Sequence, residues 1–490
     1  MNPWLLFFLL CFLSLELSSQ ENSSFTEPIP EIEIMSGTYL GNENRNFYGN
    51  KAPDDLDIIW RFHLGKGHTA NPRAGGKFLT WYGGGWTCQA ATIRHDSIWY
   101  LIQPSYGQKL YKLNAETGDK IWEYKFDDVL KASPTIWENA YNWNKHRHLI
   151  LQGSRRGNHN SIYSDEVYSL RAIDFITGEA VWKHSVERSR SYSRDVDASP
   201  LVIRDTMYAP LENGYLLIAD PQPDCTTDNN GTAVPEEISH IKTYAEADAD
   251  KHRNNVILEG SPTYFNDYLY MCSGTGWLYG YNIKADSIDW GFYTGGDMDG
   301  TPPVTSDSCL LVSLEKQYIP GQGGVFKIDP RKTPDSAVVW FFPTQDTSFV
   351  HWDGGIIGSP AVNDYYTNEH EQKIAVFTGL DGYLYVVDHE FTTGDSVPGP
   401  MEKRHYPTPQ LISKHKVGPT ISTPIITENK IIAATYHGIH LFSYDKSCHV
   451  ELIAKHEGGF ESTPVLLNGK LYISSRDGYL YCFGKKDAVQ

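Results

Sequence analysis

The sequence predicts an all-β fold: an eight-bladed β-propeller of four-stranded antiparallel blades, with the N-terminal strand closing the last blade. Three observations predict it. First, a hairpin unit, LYKLNAETGDKIWEY at 110–124, returns as LRAIDFITGEAVWKH at 170–184 and, eroded, as LYGYNIKADSIDWGF at 278–292. Second, a small residue followed by proline opens an apolar strand at Ser133-Pro134, Ser199-Pro200, Ser261-Pro262, Thr301-Pro302, Ser359-Pro360, Thr423-Pro424 and Thr463-Pro464. CQAATI, Cys88–Ile93, holds the analogous place at the front without the proline, which makes eight units. Third, the last unit stops at Tyr481-Cys482-Phe483, one strand short, while an orphan strand of the missing type, DIIWRFHLG, stands at Asp57–Gly65.

Each unit reads in the same order. A short strand follows the marker, and a second leads into a Gly-aromatic-Leu element, as in NDYLYMCSGTGWLYGYN and GKLYISSRDGYLYCFG. A tryptophan-bearing strand then comes in several units, as KIWEYKF, AVWKHSV, IDWGFYT and VVWFFPT. Gly and Asn/Asp supply the positive-φ turns between strands. A lone four-stranded sheet buries neither face well, so repeated sheets gain by packing radially, and closing the ring removes open edges. Spacing between markers varies from 40 residues (Ser261 to Thr301) to 66 (Ser133 to Ser199). The excess is expected in loops at 155–165, 221–236 and 391–409. The division that results is a signal peptide at 1–20, an N-terminal extension at 21–54, the propeller at 55–484 and a tail at 485–490.

Composition bounds the function. A net charge of −18 excludes a general nucleic-acid binder, which needs a basic surface. The apolar run from Trp4 to Leu15 is too short to span a bilayer, and with Ser18 and Ser19 it reads as a secretory signal. The chain is therefore expected to be exported, to a periplasmic, cell-surface or extracellular location, with no transmembrane span. Six cysteines follow the signal: Cys88, Cys225, Cys272, Cys309, Cys448 and Cys482. Their wide scatter leaves disulfides and free buried thiols both open. Asn230-Gly231-Thr232 is a glycosylation sequon or an exposed loop.

LYKLNAETGDKIW, LRAIDFITGEAVW and the eight strand openings resemble the quinoprotein-type (PQQ-like) β-propeller repeat, over about residues 55–484. The resemblance implies the fold; activity is a separate matter, since such propellers serve both as quinone-dependent dehydrogenases and as outer-membrane assembly scaffolds. The dehydrogenase branch implies a vicinal Cys-Cys pair in several types, and a calcium or lanthanide ion held by Glu, Asn and Asp beside a catalytic Asp. No Cys-Cys pair and no CxxCH haem segment occur in this sequence. HWDGG, His351 to Gly355, is the nearest echo, making Asp353 the candidate catalytic residue and Trp352 the candidate cofactor-binding one under that branch. Otherwise Trp352 packs on a neighbouring blade and Asp353 caps a glycine turn.

First strands line the central channel, so residues two before each Ser/Thr-Pro should converge. That position holds Lys131, Asp197, Glu259, Asp299, Ile357, Ile421 and Glu461. Asp195, Asp297 and Asp353 stand close by and widen the acidic rim. Asp197, Glu259, Asp299 and Glu461 are the candidate metal ligands, with calcium the ion that clustered carboxylates suit; the competing reading is a solvated channel in which Lys131 pairs the acids. No GxSxG, P-loop, HExxH or EF-hand spacing is present. The expected function is a binding or scaffold module for a protein or carbohydrate partner. The alternatives are a PQQ- and calcium-dependent alcohol or sugar dehydrogenase and a purely structural surface protein; no cofactor is firmly implied.

Overall fold

A computed structural model of the chain describes residues 32–71, 77–140, 146–223, 226–228, 231–368, 371–401 and 404–486. The apolar run at 1–20, Cys225 and Asn230 lie outside the described residues. Eight small antiparallel sheets follow one another around an axis. Blade one runs from Ala91–His95 to Lys120–Lys125, and blade two from Thr135–Glu138 to Ala180–His184. Blade three ends on Glu236–Lys242 and blade four on Ser287–Tyr293. Blade five begins its ladder at Leu310–Leu314, its innermost strand being reduced to a bridge between Val304 and Leu310. Blade six ends on His405–Lys416 and blade seven on Val450–His456. Blade eight joins Val465–Leu467, Lys470–Ser474 and Tyr479–Gly484 to the leading strand Asp57–His63, with Trp60 opposite Cys482 and Arg61 opposite Tyr481. The leading strand closes the ring.

The copied hairpin has a physical purpose. The indole N–H of Trp60 donates to the Ala115 carbonyl at 3.2 Å, Trp122 to Phe175 at 3.1 Å and Trp182 to Pro221 at 3.0 Å. Trp290 likewise donates to Lys332 at 3.0 Å and Trp340 to His389 at 2.9 Å. Every one of these bonds runs from the outer strand of one blade to the next, in four cases to the turn or loop that follows its third strand and for Trp340 to His389 within the long strand Tyr383–Pro398. The Thr-Gly of that turn is needed for shape. Gly118 and Gly178 have φ of +77° and +74°, and an added Cβ would stand 2.8 and 2.7 Å from the indoles of Trp60 and Trp122. A β-bulge lies beside each latching tryptophan. The corresponding bulged positions of blades three, six and seven hold Ser239, Ser413 and Ala454.

The Ser/Thr-Pro markers build a hydrogen-bonded hub. The backbone N–H of Gln89 donates to Ser133 Oγ (2.8 Å), that of Ser199 to Ser261 Oγ (2.9 Å) and that of Ser261 to Thr301 Oγ1 (2.8 Å). The N–H of Thr301 continues to Ser359 Oγ (2.8 Å) and that of Ser359 to Thr423 Oγ1 (2.9 Å). Ser199 Oγ to the Ser133 carbonyl, Ser422 Oγ to the Ser462 carbonyl and Thr463 N–H to the Cys88 carbonyl complete the belt. A hydroxyl is required here because it accepts from the preceding blade while its own residue donates to the following one.

The N-terminal extension seals one mouth. Ile32–Ser36 pairs alongside Ala91–His95, and the chain then crosses the ring as a strap. The Arg45 guanidinium is fully buried and donates to the Pro262 carbonyl (2.9 and 2.7 Å), to the Tyr39 carbonyl (2.6 Å) and to Thr38 Oγ1 (2.8 Å). The Tyr264 and Val304 amides donate to the carbonyls of Glu43 and Asn44, the Val362 amide to Tyr48 Oη, and the Gly469 amide to the Lys51 carbonyl. One strap thus touches blades four, five, six and eight.

One expectation is revised, and one open alternative is resolved. The stretch at 391–409, expected as a loop, lies largely in a long two-stranded arm, Tyr383–Pro398 with His405–Lys416. It carries Tyr406 onto Phe326 and Phe341 of blade five. Of the open cysteine alternatives, Cys88, Cys272, Cys309, Cys448 and Cys482 are free and buried.

Candidate functional site

The mouth opposite the strap collects side chains from the linkers that precede each first strand. Lys131 is ion-paired with Asp197. Asp197, Glu212 and Glu259 each offer a carboxylate oxygen, and all three oxygens lie within 4.8 Å of one another. Asp197 and Glu212 are 1% and 3% exposed, yet Asp197 Oδ1 and Glu212 Oε1 have no hydrogen-bond partner among the described residues. Buried carboxylate oxygens left without donors cost free energy, which a cation or a proton relieves. Arg155 Nε donates to Asp195 Oδ2 at 2.7 Å, and Asn255 Nδ2 to Asp297 Oδ2 at 2.7 Å. Tyr192 Oη donates to Asn255 Oδ1 at 3.1 Å on the rim.

Charge balance within the cluster is uneven. Burial, reinforced by Asp197 and Asp195, raises the Glu212 carboxyl well above the usual carboxylate range. Burial also lifts Glu259 to about 7 against the pull of Lys131, and raises Asp299 with help from Asp297. Although burial alone disfavours its charge, Lys131 is held ionised by Asp197 and Glu259. Asp195 goes the other way, because Arg155 outweighs its burial. The cluster thus holds more carboxyl groups than its cations neutralise.

The opposite side of the mouth is apolar. Trp86 packs with Ile357, Leu380 and Ile421, and with Phe349 and Trp352 at its edge. Lys131 Nζ lies 5.2 Å from the Trp86 ring centroid. Sequence position therefore brings Lys131, Asp197 and Glu259 into direct association. Asp299 adjoins them electrostatically. Glu461 sits apart, accepting from Arg476 Nη1 at 2.6 Å and from Tyr436 Oη at 2.9 Å. Trp352 joins the apolar side, and Asp353 is exposed and takes no part in the hydrogen bonds or ion pairs of the cluster.

Glu212 was not among the candidates. It lies in the turn between the second and third strands of blade three, two residues before Gly214. The same turn position holds Leu380 before Gly382, Tyr436 before Gly438 and Arg476 before Gly478, and all of them reach the mouth. Counting back from each turn glycine is the signal that would have found it.

Ring and repeat define the class: an eight-bladed propeller of PQQ-like repeats. The family model described as outer membrane protein assembly factor BamB matches residues 57–223, from the closing strand into blade three. Among solved structures the chain is similar to a europium-containing methanol dehydrogenase, at 10% identity and a TM-score of 0.55, covering 92% of this chain and 98% of that one. BamB from Moraxella catarrhalis matches at 11% identity and a TM-score of 0.40, over 89% of this chain and 99% of that one. No curated protein sequence matches the chain. Among the described residues no helix is long and apolar enough to cross a membrane.

Proposed function

We propose that this is an exported binding module that engages a protein or carbohydrate partner at the mouth opposite the strap, with a divalent cation such as calcium bound within. The observation that carries the reading is the pair of buried oxygens without a hydrogen-bond partner among the described residues on Asp197 and Glu212, beside Glu259, at the mouth opposite the strap. Oxygens within 4.8 Å of one another suit a hard cation with bonds of about 2.4 Å. Asp197, Glu212 and Glu259 would hold the ion, with Asp299 adjoining; Glu461 already has two donors. The apolar edge with Trp352 would meet the partner. The family model that matches the first blades describes an assembly factor, which agrees with a binding role.

A dehydrogenase has one feature in its favour: an ammonium, an indole and carboxylates meet at one point. The fit is poor, however. Trp86 is 5% exposed, with Lys131 over its ring and Ile357, Leu380 and Ile421 against it. Trp86 therefore has no free face for a planar quinone. Titration with calcium alone should raise the unfolding temperature, and Glu212→Gln should remove the effect. Adding PQQ with calcium and an alcohol or sugar should reduce no dye. Dye reduction would replace the binding reading with the enzymatic one, and indifference to calcium would remove the cation from it.

A further inference from the structure

We propose that a groove between blades three and four is a second binding site, for neutral pyranose sugars. It lies between the linker leaving blade three and the two outer strands of blade four, with a volume of about 380 Å³. That is within the usual range for small-ligand sites. Its lining includes Trp277, Tyr279, Trp290, Asp248, Asp289 and Gly291. It stands apart from the acidic mouth and depends on none of the residues assigned there.

At five junctions a tryptophan from the outer strand reaches the next blade; at this junction blade three offers Ser239, so no indole latch crosses. Trp277 is fixed by its own N–H bond, Nε1 donating to Asp248 Oδ2 at 3.1 Å, whereas the Trp290 indole crosses to the Lys332 carbonyl of blade five. The polar edge of Trp277 is occupied, which leaves its ring face as the contact surface. Gly291 matters for the same reason, because a Cβ there would stand 3.3 Å from the Trp277 ring. Tyr279 stacks beside that indole at 6.2 Å with 16° between the planes, and Tyr293 flanks it at 5.0 Å.

Fixed aromatic faces beside carboxylates suit a pyranose, which presents a C–H face to stack and hydroxyls to donate. Asp248 keeps one carboxylate oxygen without a partner among the described residues, and Asp289 is exposed at the groove. Two carboxylates on a chain of net charge −18 disfavour uronic or sulfated sugars. Neutral sugars are therefore the class that fits.

Saturation-transfer NMR with maltose, cellobiose and lactose tests this. At least one should receive saturation on its ring protons, with affinity at least about tenfold weaker in Trp277→Ala. Gly291→Ala, which covers the indole face without removing a core side chain, should weaken it as well, while Trp352→Ala at the mouth should not. The proposal is overturned if none of the three sugars receives saturation, or if the transfer survives both groove variants, or if it is lost in Trp352→Ala alone.

Discussion

Trp340 is the one latching indole with no exposed surface together with a bond to the neighbouring blade, and it makes the value of the latch measurable. Trp340→Ala removes a large buried side chain and leaves the His389 carbonyl without that donor, a loss of about 3–5 kcal/mol in denaturant unfolding. Trp290→Ala, whose ring is only half-buried, should cost less. Equal losses would mean that the latch is not what sets the cost. At the mouth, Glu259 makes a prediction with a definite sign. Its pKa is raised by burial to about 7, above its unfolded value near 4.5. The folded form therefore holds the proton longer, and ionisation costs stability as pH rises from about 4.5 through 7. Between pH 5 and pH 8 the wild type should lose more of its unfolding temperature than Glu259→Gln does, and calcium should restore part of the loss at pH 8. A parallel pH dependence in the two proteins would contradict the assignment. Lys131, Asp197 and Glu259 were legible in the sequence because a fixed offset from Ser/Thr-Pro sets their height in the channel. Glu212 was not, because it arrives from a turn on a different rung of the blade.

Among elements, the closing strand Asp57–His63 bears the largest topological burden. It pairs with Tyr479–Gly484 from the far end of the chain and sends Trp60 to blade one. Removing residues 32–63 should leave blade eight with three strands and an open ladder, and such edges recruit other chains. Concentration-dependent association in sedimentation is the expected outcome; a monodisperse species of unchanged size would argue that the strand is dispensable. Strand order was readable because each blade repeats its punctuation. Two elements escaped that reading for local reasons. In blade five the marker is Thr301-Pro302-Pro303, and the second proline lacks the N–H an inner strand needs, so pairing shrinks to the Val304 bridge. In blade six, the excess length at 391–409 was expected as a loop, and Pro398, Pro407 and Pro409 lie within it. They sit instead where the arm's ladder is interrupted by register shifts or ends, positions that tolerate a missing donor.

For the whole molecule the asymmetry between mouths is decisive, and the strap creates it. Its contribution is easily missed in the sequence, since 32–56 carries no repeat, yet Tyr39, Leu40 and Tyr48 are 1%, 0% and 0% exposed. Its bonds are tertiary: Arg45 reaches blade four, Asn44 blade five, Tyr48 blade six and Tyr39 Oη the Thr423 hydroxyl of blade seven. Coupling many blades through one segment should make the ring unfold as one unit, because no blade can leave without exposing strap contacts. Arg45→Ala isolates this effect while keeping the closing strand. It strips donors from the Pro262 and Tyr39 carbonyls and empties a buried volume, at a cost of about 3 kcal/mol or more. The amides of Tyr264 and Val304, which donate to the adjoining strap residues, should exchange hydrogen faster, whereas Phe483 in blade eight should stay protected. Faster exchange at Phe483 to the same degree would mean that Arg45 stabilises the fold as a whole, and that the strap is not a separable cover over one mouth.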